Sequence, residues 1–153
     1  MKLRLLCVGK VKNPHLIKLV EDYRGRIEHF LPVEIVEVKE PPSAEGERRL
    51  EMEGEKLLAA LDSPDRVVVL DPNGRPWTSQ QLARFVQKHM AEDPRRLTFV
   101  IGGYGGMSNE VKKRANTVWS LSPLTFTHDM TRLLVLEQIY RALAIIHNLP
   151  YSK

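Results

Sequence analysis

An apolar run, Leu97-Thr98-Phe99-Val100-Ile101, breaks directly onto Gly102-Gly103-Tyr104-Gly105-Gly106. Few folds accept that junction. A short apolar run of this kind reads as a strand buried on both faces. Glycines directly behind it let another group approach the backbone closely. Two readings stand: a tight strand-to-helix turn with no ligand, or a cradle for one. Four glycines in five residues favour the cradle. In an open α/β sheet, ligands sit beyond the carboxyl ends of the strands, so the elements around this junction decide what the cradle holds.

Those elements alternate. Lys2–Val8 is apolar enough for a first strand ending at Gly9. Pro14 suits the first turn of a helix running to about Phe30, with Leu16, Leu19, Val20, Tyr23 and Ile27 on its inner face. Val33–Val38 alternates as a second strand. After a proline-bearing loop, Glu47–Leu61 reads as a charged amphipathic helix with Leu50, Leu57, Leu58 and Leu61 facing in. Arg66–Leu70 is a third, doubly buried strand, and Asp71-Pro72-Asn73-Gly74 has turn composition. Thr78 and Gln81 have capping-box spacing ahead of a helix to about Met90. Leu97–Ile101 is the fourth strand, then a helix covers about Ser108–Ala115 and a fifth short strand Thr117–Leu121. Thr127 is a candidate N-cap for a last helix to about His147, with Asp129 in its first turn. The pattern predicts one domain over residues 1–153, a parallel sheet with helices on both faces. The loops after Leu70 and Ile101, and the stretch Leu121–Thr127, should converge at one end of it.

Several chemistries are excluded by what is missing. There is no G-x-x-x-x-G-K-[ST], and the first strand ends in a lone Gly9, so neither a P-loop nor a Rossmann fingerprint is present. A common class of methyltransferase would also put its glycines after the first strand. Here they follow the fourth. His15, His29, His89, His128 and His147 show no metal-ligand spacing, which predicts no metal, and the first three read as surface residues. No G-x-S-x-G surrounds Ser122. Cys7 is alone, within a strand pattern, and reads as a small buried hydrophobe. No apolar run is long enough to span a membrane, and the N-terminus does not pattern as a signal peptide, so a cytoplasmic location is expected. The net charge of +4 is compatible with a nucleic-acid partner. Lys112-Lys113-Arg114, the densest basic cluster, reads as a solvated helix face.

The last helix is apolar nearly all round, from Leu133 to Ile146, yet carries Arg132, Glu137, Gln138 and Arg141. Such a helix needs burial on more than one side, and a subunit interface is the natural second side. Glu137 and Arg141, four apart, form either a helical ion pair or part of a site, and the two can coexist.

Taken together, Ile101–Gly106, Leu121-Ser122-Pro123-Leu124-Thr125-Phe126-Thr127-His128 and Arg132–Ala142 resemble the RlmH family of bacterial 23S rRNA (pseudouridine-N3)-methyltransferases, in the SPOUT superfamily. Met1–Gly9, Leu70–Trp77 and Pro150-Tyr151 extend the resemblance over essentially the whole chain. The resemblance implies an α/β/α sandwich with a C-terminal trefoil knot, S-adenosyl-L-methionine bound in the knot, and a homodimer with a composite site. It implies a pseudouridine in helix 69 of large-subunit rRNA as substrate, presented by the assembled ribosome. Cofactor contacts would fall on Leu70, Gly102, Gly103, Ser122, Pro123, Leu124, Thr125, Phe126 and Thr127, largely through backbone groups. His128, Arg132, Arg141 and Tyr151 are the candidates for chemistry on the base. An arginine would favour the N3 anion, and His128 would take the proton, orient the base or merely pack at the helix start. Two positions depart from the family pattern: Thr127 where it reads proline, and Ser152 where its tail reads histidine. Two other classes remain: a SPOUT transferase with a different RNA target, and a non-catalytic ribosome-associated RNA-binding protein.

Overall fold

The strands lie in the sheet in the order Val33–Val38, Leu3–Val8, Leu97–Ile101, Arg66–Pro76 and Thr117–Ser120, and every pairing between neighbours is parallel. The computed structural model describes residues 1–152; of Ser152 only the backbone is described, and the departure from the family tail lies in its side chain, outside that description. In chain order the elements are β1 (Leu3–Val8), α1 (Pro14–Glu28), β2 (Val33–Val38), α2 (Gly46–Ala60), β3 (Arg66–Pro76), α3 (Ser79–Glu92), β4 (Leu97–Ile101), α4 (Asn109–Arg114), β5 (Thr117–Ser120) and α5 (His128–Ile146). A short 3₁₀ turn, Pro150–Ser152, follows.

Side-chain alternation along the strands divides the core into two layers. Leu3, Leu5 and Cys7 of β1 point to the same face as Leu97, Phe99 and Ile101 of β4, where α1, α3 and α5 cover them. Leu6, Val8, Val67, Val69 and Val100 point to the other face, against Leu57 of α2 and Val111 of α4. Both faces of β1, β3 and β4 are therefore buried, which is why these strands read as continuous apolar runs. Cys7 belongs to this core, and burial pushes its thiol pKa up to about 12 despite the nearby Arg132 charge.

Local chemistry sets the helix starts. The Asn13 side chain accepts from the His15 N–H at 2.9 Å ahead of Pro14. Thr78 and Gln81 close a full capping box, with bonds of 3.1 and 2.8 Å. Thr127 Oγ1 accepts from the Met130 N–H at 3.2 Å, and Asp129 sits in the first turn of α5.

Four expectations change. The strand expected to end at Leu70 continues to Pro76: the turn Asp71–Gly74 bulges out, and the chain then pairs again with β5 at Arg75 and Pro76. Leu19 is 43% exposed, as is Ile17 beside it, so the inner face of α1 is narrower than its apolar pattern suggests. His89 is fully buried rather than on the surface: its Nε2 lies 2.9 Å from the Arg95 carbonyl and its Nδ1 3.3 Å from Arg66 Nη1. Finally, α5 packs between α1 and α3 on top of the sheet, so its second side is covered by this same chain. Its apolar composition therefore does not by itself demand a partner subunit.

Candidate active site

Because all five strands are parallel, the segments leaving β3, β4 and β5 emerge at the same edge of the sheet. They enclose a cavity of about 550 Å³, a volume typical of small-molecule sites. One wall is Leu70, Asp71 and Pro72, at the bulge within β3; a second is Ile101 at the end of β4 with Gly102, Gly103, Tyr104 and Gly106 behind it. The third is the loop behind β5, with Leu121, Ser122 and Leu124–Thr127, closed by His128 and Thr131 at the start of α5.

The structure thus brings together eight of the nine residues predicted to contact a cofactor; Pro123 is exposed and outside the lining. His128 lines the cavity, half-buried, with Nε2 3.3 Å from Asp129 Oδ1. The other three chemical candidates do not line it. Arg132 turns beneath the carboxyl end of β1, only 2% exposed, where Nη1 donates to Glu37 at 2.6 Å and Nη2 to the Gly9 carbonyl at 3.0 Å. Arg141 and Tyr151 lie at the far end of α5. There Arg141 donates to Glu137 Oε1 at 2.6 and 3.1 Å, and Tyr151 donates to the same oxygen at 3.2 Å and shares a 2.8 Å hydrogen bond with Tyr23. Glu137 and Arg141 are therefore an ion pair, as their spacing allowed. Burial, the Tyr23 hydrogen bond and the Glu137 charge push the Tyr151 hydroxyl well above the ordinary tyrosine range.

The glycines are required by close packing. A Cβ on Gly102 would run into the carbonyl oxygen of Gly106, and one on Gly103 would lie 2.7 Å from Glu53 Oε2. The loop closes on itself with the Gly106 N–H donating to the Gly103 carbonyl at 3.2 Å, and Gly106 adopts a positive φ of 97°. Behind β5, Ser122 Oγ accepts from the Leu124 N–H at 3.0 Å and its carbonyl accepts from Ser120 at 3.1 Å, which fixes the third wall.

Among the described residues, the cavity lining carries no lysine or arginine. Its buried carboxylate, Asp71, is held by Lys112 of α4 at 2.8 Å. Burial opposes ionisation of Asp71, but the Lys112 ammonium and the Asn73 N–H outweigh it and keep the carboxyl below its usual range. Lys112 is therefore a structural partner of the first wall although its side chain still reaches solvent, and Lys113 beside it is solvated as expected. The same correction applies to Arg114, whose guanidinium donates to the carbonyls of Asp62, Ser63 and Asp65 at 2.9–3.2 Å. Asp71, Tyr104 and Thr131 were not singled out from the sequence as site residues. For Asp71 the available signal was its place directly after the buried strand ending at Leu70.

Among the described residues, no group of three or more His, Cys, Asp or Glu side chains is placed to hold a metal ion, and no helix is long and apolar enough to cross a membrane.

Comparison with known proteins identifies the family. A family model described as a predicted SPOUT methyltransferase matches residues 1–152. The ribosomal RNA large subunit methyltransferase H of Trichlorobacter lovleyi is 44% identical over 151 residues, covering 99% of each chain. The protein of the same name from Syntrophotalea carbinolica is 40% identical over 153 residues, 99% of this chain and 98% of its own. That of Parabacteroides distasonis is 39% identical over 154 residues, with the same coverage. With a parallel α/β sheet, a glycine loop behind its fourth strand and a family match along 152 residues, the chain belongs to the SPOUT methyltransferase family.

Proposed function

We propose that the protein is a single-domain homodimer in the cytoplasm that methylates N3 of a pseudouridine in helix 69 of 23S rRNA, on the assembled ribosome, using S-adenosyl-L-methionine. The observation that carries this reading is the three-walled cavity behind β3, β4 and β5. The residues present fit that cofactor. Leu70, Ile101, Leu124 and Phe126 offer apolar surface for an adenosine ring, and Gly102, Gly103 and Gly106 present bare backbone in the cavity wall. The absence of lysine and arginine from the lining spares a sulfonium cation any repulsion. The relatives' names specify large-subunit rRNA as the substrate.

When bound, the cofactor supplies an electrophilic methyl group that a deprotonated N3 displaces from sulfur. Ser122–Thr127 and Gly102–Gly103 would hold it through backbone groups and exclude water. His128, at the cavity mouth, would orient the base and accept the N3 proton. Arg141 and Tyr151 would supply positive charge and a hydrogen bond to the base from the partner subunit. His128 and Arg141 stand thirteen positions apart on α5, a span of about 20 Å, so both can act on one base only in a composite site. Exposed Ile17, Leu19, Phe126 and Met130 leave apolar surface for such a partner.

A trefoil knot is supported by the path of the chain. After β5, at one edge of the sheet, it returns across the face to place Arg132 against Gly9 of the β1 end. Gly74 passes β5 so closely that a Cβ there would lie 2.7 Å from the Val118 carbonyl oxygen.

The test is isothermal titration with S-adenosylmethionine, followed by methyl transfer to intact ribosomes and to protein-free rRNA. Binding, with transfer to ribosomes, is the expected result. No binding would remove both this reading and any other enzymatic one. Binding with transfer only to a different RNA would leave the fold assignment standing and replace the substrate.

A further inference from the structure

Helix α2 carries an acidic and a basic residue where its own pattern predicts neither to be buried. Glu53 is 2% exposed and Arg49, four residues before it, 8% exposed. They face the underside of the glycine loop. The Gly103 N–H lies against the Glu53 carboxylate, and a Cβ on Gly103 would sit 2.7 Å from Glu53 Oε2. Arg49 Nε is 3.1 Å from that oxygen, at an angle too poor for a directed hydrogen bond, so the two are coupled by charge. The rest of the guanidinium reaches outward. It donates to the Pro41 carbonyl at 3.1 Å and stacks under the Tyr104 ring at 4.5 Å from its centroid. Tyr104 is 69% exposed and stands on the cavity rim.

The neighbouring positions on α2 are fitted to the same contact. Gly54 faces Ser108, the N-cap of α4, so closely that any Cβ there would collide with its hydroxyl, and Leu50 packs under Gly105. One face of α2 thus forms the floor beneath the loop Gly102–Gly106 and the helix start behind it. A buried carboxylate without fully directed partners is costly. Burial raises the Glu53 pKa, while Arg49 and the Gly103 N–H pull it back. An apolar floor would spare that cost, and neither Glu53 nor Arg49 lines the cavity itself.

We infer that Glu53, coupled to Arg49, is a positioning residue for cofactor binding: the pair fixes the backbone of Gly103 and the rim residue Tyr104 in the shape that receives the cofactor. This rests on the proposed use of S-adenosylmethionine. It assigns a role to a helix that otherwise only covers the back of the sheet.

The experiment is titration of S-adenosylmethionine into wild type, Glu53→Gln, the double variant Glu53→Met with Arg49→Met, and Glu55→Gln as an exposed control on the same helix, each with single-turnover methylation at saturating cofactor. Glu53→Gln should weaken cofactor binding by about tenfold or more, because the neutral amide leaves the buried Arg49 cation without its counter-charge beneath Gly103. Once the site is saturated, the single-turnover rate should stay within about twofold of wild type, because the pair touches no reacting atom. The apolar double variant should unfold no more easily than wild type, as buried pairs replaced by apolar groups of similar size often do, yet still bind cofactor weakly. That combination separates positioning from mere stabilisation. Wild-type affinity in the folded double variant would overturn the inference. So would a loss confined to the saturated rate. If wild type itself fails to bind, the proposed function fails first, and this inference with it.

Discussion

Arg132 and Glu37, 95 residues apart in sequence, meet at 2.6 Å where α5 crosses the carboxyl ends of β1 and β2. The guanidinium is almost wholly buried and also holds the Gly9 carbonyl at 3.0 Å. This contact ties the last helix to the first two strands. Removing the guanidinium leaves the Gly9 carbonyl without its donor and a cavity in its place, while Glu37, a third exposed, can turn to water. Arg132→Ala should therefore cost on the order of 2 kcal/mol of stability, read by urea denaturation. Arg132→Lys should recover only part of it, because one ammonium cannot reproduce the fork. An unchanged denaturation midpoint for Arg132→Ala would show that the pair is not structural.

His128 is the candidate side chain for base chemistry that lines the cavity in its own subunit. His128→Ala should slow single-turnover methylation by about a hundredfold or more, within the range of general acid–base catalysis, and leave cofactor affinity within about twofold. An unchanged rate would reduce it to a residue that packs at the start of α5.

Arg141 and Tyr151 belong to a different end of the molecule from His128. If the site is composite, a cofactor-site variant such as Gly102→Val and a base-site variant such as Arg141→Ala should each be inactive alone. Mixed and allowed to exchange, they should regain up to about a quarter of wild-type activity, since half the dimers are hybrids with one intact site. No recovery in verified hybrids would place both groups in one subunit or remove Arg141 from the chemistry.

His89 gives the fold a pH dependence of its own. Burial is the chief cause that lowers its pKa below the ordinary 6.5, against the opposing pull of the Arg95 carbonyl and Asp93. The unfolded chain then binds more protons than the folded one between the two pKa values. Stability therefore rises with pH through that window and is lost as pH falls below about 6.5. The melting temperature should drop between about pH 7.5 and 5.5, and His89→Gln should flatten that part of the curve even if it melts lower overall. An identical slope in the variant would move the dependence elsewhere.

What the sequence made visible followed from local rules. The doubly buried strands read as continuous apolar runs, Pro14 and the caps at Thr78 and Thr127 announced the helices they start, and the parallel order placed three loops at one edge. Less visible were the relationships between distant residues. The return of β3 to pair with β5 beyond Gly74 depends on a strand more than forty residues away, and a turn-like tetrapeptide conceals it. His89, Arg49 and Glu53 are polar side chains whose burial is tolerated because of partners elsewhere, and spacing alone made them look like solvated surface. Arg132 is a different case: from the sequence it is a cation on the last helix available to a substrate, and in the structure its guanidinium donates to Glu37 and the Gly9 carbonyl. The apolar breadth of α5 was correctly seen, but its cover came from α1 and α3.

The central claim is methylation of pseudouridine N3 in large-subunit rRNA through the cavity behind β3, β4 and β5. Mass spectrometry of nuclease fragments of 23S rRNA, from cells with and without this protein, tests it most directly. The account predicts that one helix 69 pseudouridine loses a single methyl group in the deletion strain, regains it with the wild-type chain, and does not regain it with Gly102→Val. Identical rRNA fragments from the two strains would contradict it.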